Sequence, residues 1–481
     1  MLSINMEANS EKTQVEKPNT VPLKPVWEAY NDAAQQLLDI VIHSFCEEPK
    51  TPSSREKYRL VVSSFLALSQ QVFNKDDGVM GIPKDKDFWT VFPDAGWRIV
   101  EKVRDDLEKA GAIHFVEGTG KKHIWKDDDG RWQSDGTMSV YEVDESLMHL
   151  PNFFEAEWVE ARRPTVLVGV AEHYLTKKDR QRQGLLKPKI PVTEVKRQFR
   201  KSYSVSSKGI TDLNTFWKQH PLGLPRMGNR GKPYAACATR VYHDGRLDSG
   251  GRYYGAWTNL ESWERLQSTI DGEPIVSIDL NASQPTLFSS LMGMKMCVEG
   301  EWTDLYEHIV GRVDGFNTDE DEKAKRAKAK RVTVEVIGTG NPNKAGPAKQ
   351  TDDDITWGEE AEVREYTLYR DALLDVVPAL SLLDGEYLNG AGFISFQEAE
   401  MMTATLHNLI VKGIPAYPVH DCLMVKESDQ EEALSTFRET IRSYIKQHCE
   451  MNRRQEVVDI LVPVSIESGS REKVRLEGLY S

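Results

Sequence analysis

The sequence predicts an α+β protein of two or three domains, helical towards its N-terminus and a mixed sheet-and-helix unit from about Gly231 onwards. Three observations predict it. The chain has 481 residues, more than one hydrophobic core ordinarily serves. Apolar residues recur at helical spacing between Trp27 and Phe73 and again after Asp94. Beyond Gly231, short β-prone runs such as 274–279 and 413–425 alternate with helical stretches.

The composition narrows the class. Apolar residues make up 39% and charged residues 28%, with a net charge of −14. The chain as a whole is therefore no basic nucleic-acid coat, although a local basic surface is enough to steer a polyanion. The five cysteines, Cys46, Cys237, Cys297, Cys422 and Cys449, include no C-x-x-C pair. A zinc ribbon and a disulfide framework are both disfavoured, and the expected setting is reducing and cytoplasmic. The stretch 1–25 is polar and lacks the apolar core of a signal peptide. No run of about 18 apolar residues exists, so no membrane partner is expected.

In chain order, residues 1–25, rich in Glu, Asn, Lys, Thr and Pro, read as a disordered tail. Residues 26–150 read as a helical domain. Leu37, Leu38, Ile40, Val41 and Phe45, then Leu60, Val61, Phe65 and Leu68, give helical stripes. A further helix from Asp94 carries Val100, Val103, Leu107 and Ala110 and stops at Gly111. Strand-like runs at 113–116, 123–126 and 138–143 follow, around a Gly118-x-Gly120 turn. Helix, strand, turn, strand is the order of a winged helix and equally of a small packing module. Residues 151–245 contain a basic segment. Positions 175–208 hold eleven basic residues, including Arg197, Arg200 and Lys201, against two acidic ones. Such a run either neutralises phosphates or is a plain solvated face; its place just before the chemistry-bearing segments favours the first. The acidic stretch 352–362 reads as a surface loop or helix start.

Residues 246–481 carry the chemistry. The run 274–279 is β-prone and ends in the carboxylate of Asp279, with a helix expected over 282–292. The segment 413–425 reads as two apolar strands around His420-Asp421, a hairpin with a charged pair at its tip. Such a pair is costly between apolar strands unless it has partners or work. Between these segments Arg326-x-x-x-Lys330 puts two cations on one face of a helix from Asp321, which Gly338-Thr-Gly-Asn341 should break. A last helix is expected over 396–411. Its Gln397 is a candidate contact or a plain helix-start residue, and its Glu398 and Glu400 read as a solvated face.

Order and spacing join these fragments. Asp279-Leu-Asn-Ala-Ser-Gln284, Arg326-x-x-x-Lys330 and Val419-His420-Asp421 resemble motifs A, B and C of the family A DNA polymerases and of the single-subunit RNA polymerases of bacteriophages and mitochondria. Gly250-Gly-Arg252-Tyr-Tyr, with Asn259-Leu260 and Arg265, is similar to the segment these families carry upstream. The resemblance covers about 230–430. It implies a right-hand polymerase with a palm, short fingers and a helical thumb within 151–245, the preceding region carrying the possible winged helix. It implies two Mg2+ ions, replaceable by Mn2+, on Asp279, Asp421 and the Leu280 carbonyl. Arg326 and Lys330 would take the nucleotide phosphates, with Lys330 the proton donor to the leaving group. Gln284 and Gly338 would lie near the nucleotide. Arg252, Arg265, His420, Gln397, Arg197, Arg200 and Lys201 would hold primer and template. The partners implied are a DNA primer–template, nucleoside triphosphates and helper replication proteins of a phage or mobile element, in a bacterial cytoplasm.

The pattern also departs from these families. Gly338 stands where family A has tyrosine, Gln284 where its DNA polymerases have glutamate, and Cys422 follows the motif C aspartate in place of Glu or Ser. Sugar selection is thus left open between a DNA polymerase and an RNA polymerase or primase-like enzyme. The N-terminal region offers no set of acidic ligands for a proofreading exonuclease. The reading from another class is a replication initiator that docks on DNA and carries a degenerate polymerase core.

Overall fold

The computed structural model describes residues 20–24, 26–73, 79–83, 89, 92, 95–117, 122–126, 132–136, 139–170, 189–225, 233–298, 302, 304–313, 321–347, 361–383, 390–452, 454, 460–469, 473–476 and 479–480. The expected tail needs correction at its end: Thr20–Pro22 is a strand paired parallel with Val79–Ile82, and Leu23 is buried in the core. Residues 1–19 of that tail, the Gly118-x-Gly120 turn, most of the basic run before Lys189, and all but the last two residues of the acidic stretch lie outside the described residues. The described residues fall into two compact units, one within Met1–Trp158 and one within Val159–Pro225 and Lys232–Ser481. Both mix helices and strands. No helix of the described residues is long and apolar enough to cross a membrane.

In the first unit, helices Asp32–Phe45, Pro52–Phe73 and Trp97–Lys109 bury Leu37, Val41, Val61, Phe65, Val100 and Leu107 in one core. The helical reading of 27–73 needs correction at its start. Trp27–Ala29 is a strand, and the helix begins only where the Asn31 side chain caps the Ala34 N–H at 2.9 Å. Ile113–Glu117 pairs antiparallel with Ser139–Val143, and Lys122–Lys126 with Trp132–Gly136.

The second unit is organised around one strand, Glu273–Leu280. On one side it pairs antiparallel with Cys422–Lys426, itself in a hairpin with Ala416–Val419. On the other it pairs with Val464–Ser468, in turn paired with Lys473–Leu476. The period of two separates the central strand's faces. Val276, Ile278 and Leu280 are buried in the core, whereas Ser277 and Asp279 are half-buried on the opposite face. Helices Ser283–Leu291, Gly390–Val411 and Gln430–Met451 pack together and share that core.

The hairpin Ala416–Val419/Cys422–Lys426 has Val419 opposite Cys422, leaving His420 and Asp421 as its two-residue tip, as the sequence predicts. Its outer strand is the last of its sheet and contains Pro418, which has no N–H to give and is tolerated at an edge. The carbonyls of that edge are nevertheless satisfied. Trp217 Nε1 donates to the Ala416 carbonyl and Trp257 Nε1 to the Pro418 carbonyl, each at 2.8 Å. Tyr417 packs against both indoles, 5.1 Å from Trp217 in a stacked arrangement and 4.9 Å from Trp257 edge-on, and the indoles meet each other edge-on at 5.6 Å. All three rings are fully buried.

A second hairpin, Thr239–Tyr242/Gly250–Tyr254, explains the Gly-Gly-Arg-Tyr-Tyr run. Val241 pairs with Arg252 and Tyr242 with Gly250, so Gly251 is the extra residue of a β-bulge. Gly250 and Gly251 have φ of +78° and +83°, a region that costs an L-residue about 1–2 kcal/mol. A Cβ on Gly251 would also meet the Tyr242 ring at 2.8 Å and the Arg240 guanidinium at 2.9 Å. The bulge re-aims the strand so that Arg252 faces the helix Gly390–Val411. Gly251→Ala is therefore expected to destabilise the fold by at least ~1–2 kcal/mol, read as a lower urea midpoint at unchanged slope.

Candidate active site

Asp279 leaves the central strand one residue before its end, and Asp421 lies beside it at the hairpin tip. The two stretches are held in register by Asp279 opposite Cys422 and by the Leu280 N–H facing the Asp421 carbonyl at 3.4 Å. The turn after Asp279 is tight. Ala282 adopts a left-handed φ of 50°, and Asn281 is pinned by Ser465 Oγ at 2.8 Å and by its own N–H to the Pro463 carbonyl at 3.0 Å. His420 is also left-handed, at φ 59°. Such conformations in non-glycine residues cost on the order of 1–3 kcal/mol and persist only where the surroundings enforce them.

Facing the aspartates is the helix Glu322–Thr339. Both ends match expectation: within Gly338-Thr-Gly-Asn341 the helix stops at Gly340, whose left-handed φ of 60° caps it. Lys328, buried, makes a 2.6 Å ion pair with buried Glu365, and Glu335 takes Arg331 at 2.6 Å and Lys344 at 2.9 Å. With those faces anchored, Arg326, Lys330, Thr333, Val334 and Ile337 are presented to the aspartates. Together they line a cavity of about 620 Å3 with Leu280, Gln284, Arg252 and Asp304.

Seven predicted site residues thus meet in one cavity: Asp279, Leu280, Gln284, Arg252, Arg326, Lys330 and Asp421. Others stand elsewhere. Gly338 is exposed and off the cavity wall. Gln397 is buried within the helix, which starts at Gly390 rather than Phe396, and its side chain accepts from the Tyr444 hydroxyl at 2.7 Å. Arg265 is half-buried and donates to the Leu260 carbonyl. His420 lies behind Asp421, edge-on to Tyr254 at 5.9 Å. Burial, with Arg252 and Arg265 nearby, depresses its pKa, which keeps the ring neutral near pH 7. Arg197 is exposed and paired to Glu194 at 2.6 Å, and Lys201 is exposed. Arg200 instead lines a groove of about 550 Å3 with Lys196, Tyr203 and Lys208.

Two carboxylates whose sequence pattern reads as a solvated face prove structural to the site. Glu398 is fully buried; Arg252 Nε donates to it at 2.9 Å. Ser283 Oγ is 2.7 Å from both Glu398 and Asp421. One hydroxyl has one proton to give, so Ser283 serves one carboxylate at a time unless Glu398 carries a proton of its own. Burial first, and Asp421 second, push the Glu398 pKa upward, in that direction. Glu400, half-buried, takes Arg240 at 2.7 Å, and Arg240 is itself buried between the Tyr242 and Tyr253 rings. Both arginines come from the bulged hairpin, a long-range pairing that no local sequence pattern reveals.

Asp304 and Tyr306 likewise escape a reading of the sequence. Asp304, almost fully buried, accepts from the Tyr306 N–H at 3.0 Å and from Arg326 Nε at 2.6 Å, and Tyr306 lies under the Arg326 guanidinium at 5.1 Å. Burial, with Asp304, Asp421 and Asp279 nearby, raises the Tyr306 pKa to about 12 against the opposing pull of Arg326. Likewise burial, with Asp279 and Asp421, drives the Cys422 thiol well above its usual range. The two aspartates stand together as the negative side of the cavity. Among the described residues, no three His, Cys, Asp or Glu side chains stand together as a metal cage.

No protein-family profile matches the chain, and a search of curated proteins finds no match. Among solved structures, the chain is similar to the POL domain of Pol1 from M. smegmatis, in complex with DNA primer-template and dNTP, at 10% identity and a TM-score of 0.31. The alignment covers 90% of this chain and 65% of that one, so the chain spans less than two thirds of its length.

The buried Arg252–Glu398 pair gives a direct check. Glu398→Ala strands a mostly buried guanidinium and is expected to cost about 3–5 kcal/mol, measured by denaturant unfolding. Glu398→Gln, which can still accept from Arg252, is expected to lose distinctly less.

Proposed function

We propose that the chain is a template-directed nucleic-acid polymerase, a nucleotidyltransferase that joins a nucleoside triphosphate to a 3′-hydroxyl. One observation carries the reading: Asp279 and Asp421, distant in sequence, share a cavity with Arg326 and Lys330 on the facing helix. The transfer needs negative ligands where the 3′-hydroxyl is activated and positive ones where pyrophosphate departs. The cavity offers both poles, and the motif order of the sequence matches.

The donor set suits Mg2+, which takes one or two carboxylates and completes its shell with water and phosphate oxygens rather than an all-protein cage. Asp279 and Asp421, with the Leu280 carbonyl, would hold it. Bound there, two such ions supply activation of the nucleophile and neutralisation of the leaving group. Asp304 orients Arg326 and, with Tyr306, limits its freedom, so less entropy is lost when the guanidinium takes phosphate. Lys330, exposed on the same helix face, is placed to bind the departing phosphates and to give them a proton. Ser283 fixes the Asp421 carboxylate, and Glu398 fixes Arg252 at the cavity wall for the primer strand. The groove of Lys196, Arg200, Tyr203 and Lys208 suits a phosphate backbone with a base stacked on the tyrosine.

DNA synthesis without proofreading, in a phage or mobile element, is the reading we adopt. Ribonucleotide use by a primase-like enzyme is the second, favoured by the uncharged Gln284 in the cavity wall. Primer extension with Mg2+, run with dNTPs and with NTPs, separates them. In that assay Lys330→Ala is expected to raise the nucleotide KM or cut incorporation by at least about tenfold. Primer–template affinity should change less than about twofold; parallel loss of both would remove Lys330 from the phosphate-binding role.

A further inference from the structure

The proposed site has a cation that motif reasoning did not supply. Arg475 lies on Lys473–Leu476, close to the C-terminal end of the chain. Asp279 pairs with Ser465 and Ser465 with Arg475 across three adjacent strands. Directly paired residues share a face, so the three side chains form one row, and all three line the 620 Å3 cavity. Two strand spacings, ~10 Å, separate the backbone of Arg475 from that of Asp279. The Arg475 guanidinium reaches to 4.0 Å from Asp304 Oδ2, the oxygen that also takes Arg326 Nε at 2.6 Å. A carboxylate 4% exposed therefore gathers two guanidiniums from elements remote in sequence.

A purely structural role accounts poorly for Arg475. Its side chain is 47% exposed, and 4.0 Å is too long for a hydrogen bond. An ion pair of that kind contributes between nothing and about 1 kcal/mol. Asp304 neutralises only one of the two guanidiniums, and Lys330 adds a third cation to the same cavity. The part of the cavity around Asp304 thus keeps net positive charge. Its two planar forks suit the paired oxygens of a polyphosphate.

We infer that Arg475 is a further phosphate-binding residue: with Arg326 and Lys330 it takes the terminal phosphates of the incoming triphosphate and the pyrophosphate released, while Asp304 positions both arginines. The inference rests on the polymerase reading for the identity of the substrate, but the anion site is testable without it. The experiment titrates inorganic pyrophosphate, with Mg2+ present, into the full chain and into Arg475→Ala and Arg475→Lys, and measures primer extension with the same proteins. Arg475→Ala is expected to weaken pyrophosphate binding and raise the nucleotide KM at least about tenfold, with kcat and primer–template affinity within about twofold. Arg475→Lys should recover part of the loss. Unchanged pyrophosphate affinity in Arg475→Ala overturns the assignment. So does a matching fall in primer–template affinity, which would give Arg475 to the nucleic acid. If the wild type extends no primer yet Arg475→Ala still loses pyrophosphate, the polymerase reading fails and the anion site stands.

Discussion

The site depends on holding the carboxylate of Asp421 still at the tip of an apolar hairpin. Asp421 is useful only if it stays beside Asp279, and the strand that carries it into the turn is an edge strand among the described residues. Two tryptophans solve this. Trp217 and Trp257 give their indole N–H groups to the Ala416 and Pro418 carbonyls, and their rings pack on each other and on Tyr417. The edge is thereby closed by side chains rather than by another strand, and the strained backbone at His420 is supported from behind.

The same logic of support extends around the cavity. Several side chains that face it are fixed by a more buried one: Arg252 by Glu398, Asp421 by Ser283, Arg326 by Asp304, and Asn281 by Ser465. Buried ion pairs such as Lys328–Glu365 are a weak source of net stability, because desolvation offsets their attraction. Their value in this fold is positional. They hold one face of the helix Glu322–Thr339, through Lys328 and Glu335, and leave the opposite face, with Arg326 and Lys330, turned to the aspartates.

Much of this is legible in the sequence, for local reasons. The hairpin at His420-Asp421 follows from two apolar runs around a charged pair, and the strand ending near Asp279 from its β-branched residues. Arg326 and Lys330 share a face because helices repeat every four residues or so. Boundaries are less legible. The helix expected from Phe396 starts at Gly390, and Trp27–Ala29, a strand, blends into the apolar stripe of a helix it precedes. What stays hidden is long-range. Glu398 and Glu400 look like a polar helix face until the bulged hairpin brings Arg252 and Arg240 to them, and Asp304, Tyr306 and Arg475 belong to no local pattern. The two glycines of the Gly-Gly-Arg run are the one available signal, since adjacent left-handed residues often mark a bulge that aims the next side chain.

At the centre of the proposed chemistry, the two aspartates act as one unit. Asp279→Asn and Asp421→Asn keep the shape of each side chain and remove its charge, so single-nucleotide incorporation with Mg2+ is the most direct measurement. Each variant is predicted to lose on the order of a thousandfold or more in rate, and the double variant to be scarcely slower than either, as expected of groups that serve one catalytic centre. Thermal stability should be unchanged or higher, because like charges have been removed. Incorporation at the wild-type rate by either single variant would contradict a shared metal site.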